Sequence, residues 1–127
     1  MKNMGFIPNK KLSDKIIGIA IEIHRSLGNG YLEKIYENAL ILDFKYHEIP
    51  VAQQVPLPVK YKGIILGEFF ADIVVDKKII LELKAVSNLV PAHEAQLLHY
   101  LKYCDIKVGY LLNFGAESRM EFKRMVF

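Results

Sequence analysis

The sequence predicts a mixed α/β (α+β) domain in which helices flank a central sheet. Three observations predict this class: helical spacing of apolar residues in the first third of the chain, strand-like apolar runs in the middle, and a further helix followed by two strands at the end. The chain has 127 residues, of which 52% are apolar, enough to bury one core without cross-links. No repeat, low-complexity tract or linker divides it, so we expect residues 1–127 to form a single domain.

Two helices are predicted in the first third of the chain. Ser13 is a candidate N-cap for the first helix. The apolar residues that follow recur at spacings of three and four, and they are Ile16, Ala20, Ile23 and Leu27. Glycines at 28 and 30 end this helix because glycine adopts turn conformations readily. A second helix is expected over residues 31–44, with a buried stripe formed by Leu32, Ile35, Ala39 and Leu42.

Three strands and a hairpin are predicted in the middle of the chain. Residues 54–59 read as an extended segment, and their prolines favour an edge position because proline cannot donate a ladder hydrogen bond. Lys62-Gly63 predicts a turn. Residues 64–76 and 79–86 are strand-like, and the short link between them allows only a hairpin.

The last third of the chain predicts a helix and two strands. Pro91 suits the first turn of a helix that runs to about residue 103. The side chains expected on its core side are Leu97, Leu98 and Leu101. Residues 107–114 and 120–127 are strand-like and are separated by a turn at Gly115. The predicted order of elements is therefore α, α, β, β, β, α, β, β.

Composition suggests a soluble cytoplasmic protein. One cysteine, Cys104, excludes an intramolecular disulfide, which fits a reducing compartment. The first residues lack the apolar core of a signal peptide, and no apolar run reaches the length of a membrane span, so we expect no membrane partner. The net charge of +3 is compatible with a phosphate-bearing partner, but it is equally common in other enzymes.

Charged residues interrupt the most apolar strands of the chain. Glu82 and Lys84 are two apart and share one face of their strand. A hairpin centred on Lys77 places Asp72 directly opposite Glu82, with Cβ atoms roughly 5 Å apart. A one-residue shift of the centre would turn Asp72 to the other face, so the sequence makes a specific geometric prediction.

Two carboxylates at that distance repel each other, and burial adds a penalty of several kcal/mol for each unpaired ion. A hard divalent cation such as Mg²⁺ (or Mn²⁺) would offset both effects, since it prefers carboxylate oxygens. It would also acidify a water, which Lys84 could hold for attack on a phosphate. The alternative is an ordinary exposed Glu82–Lys84 pair, because the acidic-x-Lys triplet occurs five times in this sequence.

The spacing of Asp72, Glu82 and Lys84 resembles the signature of the PD-(D/E)XK nuclease superfamily, with Ala71 in place of the signature proline. Gln96-Leu97-Leu98-His99-Tyr100 resembles the Q-x-x-x-Y helix motif of the RecB-like branch. The segment from Gly30 to Tyr36 fits G-x-x-E-x-x-Y, the motif that names the GxxExxY protein family in the same superfamily. The likeness spans almost the whole chain. Asn29 departs from it, since the family commonly has proline between the two glycines.

This resemblance implies a restriction-endonuclease-like α-β-β-β-α-β core with the metal site on its central hairpin. It implies that the metal ligands are Asp72, Glu82, Glu33 and the carbonyl of Leu83. It also implies that Lys84 orients the attacking water. The residues expected to line the cleft and contact substrate are Gln96, Tyr100 and Tyr36. Without the resemblance, Glu33, Gln96 and Tyr100 would read as ordinary polar residues on the surfaces of helices.

The function expected from these residues is hydrolysis of phosphodiester bonds in DNA through a Mg²⁺-activated water. The alternative is a catalytically silent nucleic-acid-binding or protein-interaction module of the same fold. Specific protein–DNA interfaces bury on the order of 1,000–2,500 Å², which is a large area for a chain of this size. We therefore expect weak sequence specificity, or specificity that a homodimer or a partner subunit supplies.

Overall fold

A computed structural model describes residues 9–127. Its elements are α1 (Lys10–Leu27), α2 (Glu33–Tyr46), β1 (Val51–Tyr61), β2 (Ile64–Val75), β3 (Ile79–Lys84), α3 (Pro91–Tyr103), β4 (Val108–Asn113) and β5 (Glu121–Val126). The predicted order of helices and strands is confirmed. The interpretation of the first eight residues as lacking a signal peptide lies outside the described residues. None of the described helices is long and apolar enough to cross a membrane.

The five strands form one sheet in the order β1-β2-β3-β4-β5. All neighbouring pairs are antiparallel except β3 and β4, which run parallel and are joined through α3. The predicted mixed sheet is thereby confirmed. β1 lies at an edge of the sheet, which is the position where strands tolerate prolines such as Pro56 and Pro58.

The hairpin between β2 and β3 has the predicted centre. Ile73 pairs with Leu81 and Val75 pairs with Ile79, so Lys77 lies at the middle of the connection. Asp76 and Lys77 both adopt left-handed backbone conformations, with φ of 49° and 56°. This register determines which side chains of the two strands face each other near the site.

The sheet buries a core on each of its two faces. α1 and α2 pack on one face, where Ile73, Leu81 and Leu83 point toward them. α3 packs on the other face through Leu97 and Leu101. Alternation along β3 therefore sends Glu82 and Lys84 to the α3 side of the sheet, while their neighbours fill the core beneath α1 and α2.

Two predictions about the helices at the start of the chain are wrong. α1 begins at Lys10, and Ser13 is a buried residue within it, not its N-cap. The buried stripe of α2 is also not the predicted one, since Leu32 is 79% exposed and Leu42 is 69% exposed. The side chains that α2 buries are Tyr36, Glu37, Leu40, Ile41 and Phe44. Because α2 carries apolar residues on several sides, two stripes fit the helical period, and packing on the sheet selects the one that contains Tyr36 and Phe44.

The predicted core face of α3 is right for two of its three leucines. Leu97 and Leu101 are fully buried, whereas Leu98 is partly exposed. Residues 97 and 101 are four apart and point at the sheet, and Leu98 lies about 100° around the helix from Leu97.

Candidate active site

Asp72 and Glu82 meet where the hydrogen-bond ladder between β2 and β3 ends. Beyond the last paired residues, Ile73 and Leu81, backbone N–H groups donate to side-chain carboxylates instead of to carbonyls of the facing strand. The Leu83 N–H donates to Asp72 Oδ2 at 2.8 Å, and the Asp72 N–H donates to Glu82 Oε1 at 3.1 Å. The structure thus brings the two acids together across the hairpin, as its predicted register requires.

The two carboxyl groups are held in an environment that disfavours their charge. Burial, followed by the charge of Asp72, raises the pKa of Glu82 to about 8, and the side chain of Glu82 is only 6% exposed. Burial also raises the pKa of Asp72, against the opposing effect of hydrogen bonds from the Leu83 backbone and the Gln54 side chain. Two acids whose pKa values are raised by burial and by a charged neighbour are typical of functional sites, which makes this pair the candidate site of the chain.

Lys84 lies beside this pair and is aligned by α3. Its ammonium donates to Gln96 Oε1 at 3.4 Å, and its charge lowers the pKa of both Asp72 and Glu82. Within residues 9–127, no ion pair shorter than 4.0 Å joins Lys84 to a carboxylate. Glu82 is moreover buried, so the alternative of an exposed Glu82–Lys84 pair does not describe this site.

Tyr100 covers the site from α3. Burial, and then the charges of Glu82 and Asp72, raise the pKa of Tyr100 to about 12, so its phenol stays protonated and can donate a hydrogen bond at any ordinary pH. Its ring stacks on Phe69 of β2, with centroids 3.5 Å apart and planes 18° from parallel. Sequence reasoning missed Phe69, because residues three apart in a regular strand point to opposite faces and its position relative to Asp72 gave no signal.

Glu33 lies at the first position of α2, close enough to the pair to feel its charge. Burial and then Asp72 raise the pKa of Glu33, while Lys84 opposes the shift. In the part of the chain that the structure describes, no three His, Cys, Asp or Glu side chains are grouped closely enough to hold one ion. Glu33 therefore does not complete a three-carboxylate group with Asp72 and Glu82 in this conformation.

A cavity of about 670 Å³ opens next to Glu33. It lies between the start of α2 and the segments that follow the parallel strands β3 and β4. Crevices outside the carboxyl ends of parallel strands are the usual ligand positions of α/β sheets. The side chains that line it include Tyr31, Glu33, Lys34 and Ser87.

The predicted substrate contact of Tyr36 is wrong. Its side chain is 0% exposed and stacks on Phe114, with ring centroids 4.6 Å apart. Its hydroxyl donates to the Gly28 carbonyl at 2.6 Å and accepts from the Tyr31 N–H at 3.2 Å. Tyr36 thus ties down the loop between α1 and α2, and an enclosed side chain cannot contact a substrate.

A second buried network, also missed from the sequence, holds the segment after Lys84. Asn113 Oδ1 accepts from the N–H groups of Val86 and Gly115, both at 3.0 Å. Its amide donates to Glu121 Oε1 at 3.0 Å, and that oxygen also accepts from the Leu89 N–H at 2.9 Å. The chain leaving β3 is therefore anchored to β4 and β5, which fixes one wall of the cavity.

The donors present suit a divalent cation. Asp72 and Glu82 offer carboxylate oxygens, and both have pKa values raised by burial, so nearby positive charge would stabilise their ionised forms. Mg²⁺ is commonly bound by one or two carboxylates, with waters or substrate phosphates filling its other positions. Two side-chain ligands are therefore compatible with Mg²⁺, and the resemblance implies the carbonyl of Leu83 and the carboxylate of Glu33 as further ligands.

The sequence model of the PD-(D/E)XK nuclease superfamily matches residues 10–125 of this chain. The chain belongs to the PD-(D/E)XK nuclease superfamily. Its fold agrees, since it is similar to the crystal structure of SSO0001, with a TM-score of 0.56 and 18% sequence identity over 73% of this chain. The matched part is 48% of that protein, so this PD-(D/E)XK chain corresponds to about half of it, and the likeness concerns the fold alone. No curated protein matches the sequence.

Proposed function

We propose that this chain is a divalent-metal-dependent deoxyribonuclease, which uses Mg²⁺ or Mn²⁺ to hydrolyse phosphodiester bonds in DNA. The observation that carries the proposal is the buried Asp72–Glu82 pair beside Lys84, in a chain of the PD-(D/E)XK nuclease superfamily. We further propose that the chain belongs to the GxxExxY family and to the RecB-like branch of the superfamily. We also propose that it is located in the cytoplasm and that a homodimer or a partner subunit supplies its specificity.

Asp72 and Glu82 would hold the cation, assisted by Glu33 and the Leu83 carbonyl. The ion would supply the positive charge that acidifies a water and neutralises charge on the phosphate. Lys84 donates its hydrogen bonds toward the attacking water or the developing phosphate charge, and Gln96 limits where its ammonium can move. The protonated phenol of Tyr100 is a donor on the same side of the sheet, and it adds no negative charge to the acids.

The cavity beside Glu33, whose lining does not include Asp72, Glu82 or Lys84, would hold a nucleotide next to the reacting phosphate. Its volume of about 670 Å³ lies within the range of small-ligand pockets, and Tyr31 offers an exposed aromatic ring on its wall. Aromatic rings stack on bases without sequence preference. We therefore expect weak sequence specificity from this chain alone.

The test is a cleavage assay with Mn²⁺ on single-stranded, duplex and branched DNA, with RNA run in parallel. We expect wild-type protein to cut DNA and Lys84→Ala to lose about 10²–10³ in kcat. Lys11→Ala, an exposed lysine of α1 on the other face of the sheet, is the matched control and should cleave like wild type.

Three outcomes would contradict the proposal. Cleavage that persists undiminished in Lys84→Ala would point to a contaminant or to a different site. Cleavage of RNA but not of DNA would show that the substrate is RNA. Binding of DNA with neither metal binding nor cleavage would instead identify a catalytically silent module of the same fold.

A further inference from the structure

Glu37, on α2, is a buried carboxylate that has no role in the reaction proposed above. It is 4% exposed and accepts hydrogen bonds from three side chains. The donors are Lys34 Nζ at 2.9 Å, Gln53 Nε2 at 2.7 Å and Gln54 Nε2 at 3.0 Å. Two of them come from β1, so Glu37 joins the helix to the edge strand of the sheet.

Gln53 and Gln54 are consecutive in β1, and a regular strand would send their side chains to opposite faces. Gln54, however, has a φ of 49°, in the left-handed region that glutamine rarely adopts. This local break in the alternation lets both amides reach Glu37. Unfavourable backbone of this kind persists only where the surroundings enforce it, and it concentrates at functional sites.

The same break directs Gln54 toward the active site. Gln53 pairs with Ile73 and Val55 pairs with Ala71, so Gln54 lies opposite Asp72. Its Nε2 is 3.4 Å from Asp72 Oδ1 and 3.0 Å from Glu37 Oε1. An amide nitrogen carries two hydrogens and can therefore donate to both carboxylates.

Asp72 is consequently held at both of its oxygens. Gln54 contacts Oδ1, and the Leu83 N–H donates to Oδ2 at 2.8 Å. Glu37 in turn decides where the Gln54 amide lies. Gln53 also donates to Glu37 but makes no hydrogen bond with Asp72 in the described part of the chain.

We propose that Glu37 is a positioning residue of the site, which acts through Gln54 to fix the orientation of the Asp72 carboxylate. The catalytic meaning of this role rests on the proposed function, but the positioning itself does not. Groups that orient a metal-binding side chain from behind typically change metal affinity or activity by about 10–100-fold when they are altered.

The first test needs no metal and uses the Leu83 amide as a reporter, because its hydrogen bond ends on Asp72 Oδ2. The variant Gln54→Asn keeps a residue that tolerates the left-handed conformation but is one methylene shorter. We expect the Leu83 amide proton to move upfield and to exchange faster with solvent in this variant and in Glu37→Gln. Gln53→Asn, the matched control, loses a bond to Glu37 and should leave the Leu83 amide unchanged.

The second test measures Mn²⁺ affinity by calorimetry in the same proteins. Gln54→Asn should bind about 10–100-fold more weakly than wild type, while Gln53→Asn should bind like wild type. Glu37→Gln should resemble Gln54→Asn, since it removes the anchor of the Gln54 amide. Gln54→Gly, which suits the left-handed backbone, replaces Gln54→Asn if that variant unfolds.

The two tests separate the two proposals. An unchanged Leu83 amide in Gln54→Asn, or equal changes in Gln53→Asn, would overturn the positioning role. Wild-type protein that binds no Mn²⁺ would overturn the proposed function, and the Leu83 amide would still decide whether Gln54 orients Asp72.

Discussion

Glu37 and Glu82 are two glutamates with nearly the same burial and very different surroundings. Their exposed fractions are 4% and 6%. Glu37 accepts from an ammonium and two amide groups, whereas Glu82 accepts one backbone N–H and faces the carboxyl group of Asp72. Burial of an acid therefore does not by itself mark a reactive site. A buried acid beside another acid is the stronger candidate, because burial and the charge of Asp72 raise the pKa of Glu82 to about 8.

The largest effect that this comparison predicts is on cleavage. Glu82→Gln removes a proposed metal ligand, and we expect it to lower kcat by at least about 10²–10³. Glu37→Gln removes no proposed metal ligand and should cost less, about 10–100-fold. Single-turnover cleavage of DNA with Mn²⁺ measures both. Equal losses in the two variants would mean that the two glutamates do not differ in role.

The next effect is the pH dependence of stability without metal. The folded protein binds the Glu82 proton more tightly than the unfolded chain does, because the pKa rises from its usual 4.5 to about 8. The contribution of this group to stability is therefore complete below pH 4.5 and is lost as the pH rises through about 8, by up to about 1.4 kcal/mol per pH unit. Urea unfolding in the presence of a chelator measures this slope, which should be shallower in Glu82→Gln. A slope that the substitution leaves unaltered would refute the predicted shift.

Loss of the side-chain charge should change the free energy of unfolding in opposite directions at Glu37 and Glu82. Above pH 8 and without metal, Glu82→Gln removes the cost of burying a carboxylate and its repulsion with Asp72, and should raise the free energy of unfolding by roughly 1 kcal/mol or more. Glu37→Gln replaces an acceptor oxygen by a donor that faces other donors, and should lower it by about 1–3 kcal/mol. Denaturant titrations of the three proteins give the comparison. Destabilisation by both substitutions would show that Glu82 is compensated within the chain.

The smallest effect concerns the tyrosines on the two sides of the sheet. Tyr36→Phe loses the hydrogen bond to the Gly28 carbonyl and should lower the free energy of unfolding by about 0.5–1.5 kcal/mol, with cleavage unchanged. Tyr100→Phe keeps the stack on Phe69, and within residues 9–127 no hydrogen bond of its hydroxyl is present to be lost. It should therefore leave stability unchanged while it lowers cleavage. If Tyr36→Phe instead lowered cleavage while Tyr100→Phe lowered only stability, Tyr36 would be a residue of the active site.

The sequence predicts the fold well where local signals agree. The short link at Asp76, Lys77 and Lys78 allows only a hairpin, and its centre determines which residues pair. The close approach of Asp72 and Glu82 follows from that centre and from the two-residue period of strands. The edge position of β1 follows from its prolines.

Other features depend on packing that no local pattern reveals. α2 carries apolar residues on several sides, so its period alone could not tell the stripe through Leu32 from the one through Tyr36. Ser13 looked like a cap, but the helix continues before it.

The Glu37 network could not be read from the sequence either. The amides that Glu37 contacts lie 16 and 17 residues further along the chain. The left-handed conformation of Gln54 also has no signal from glycine or asparagine.

The proposed reaction depends most on a cation bound by Asp72 and Glu82. Calorimetric titration of Mn²⁺ and Mg²⁺ into wild-type protein and Glu82→Gln at neutral pH tests it directly, with the exposed Glu48→Gln as the matched control. We expect both ions to bind saturably to wild type and to Glu48→Gln, and not to bind to Glu82→Gln. Wild-type protein that binds neither ion, or Glu82→Gln that binds as wild type does, would contradict it.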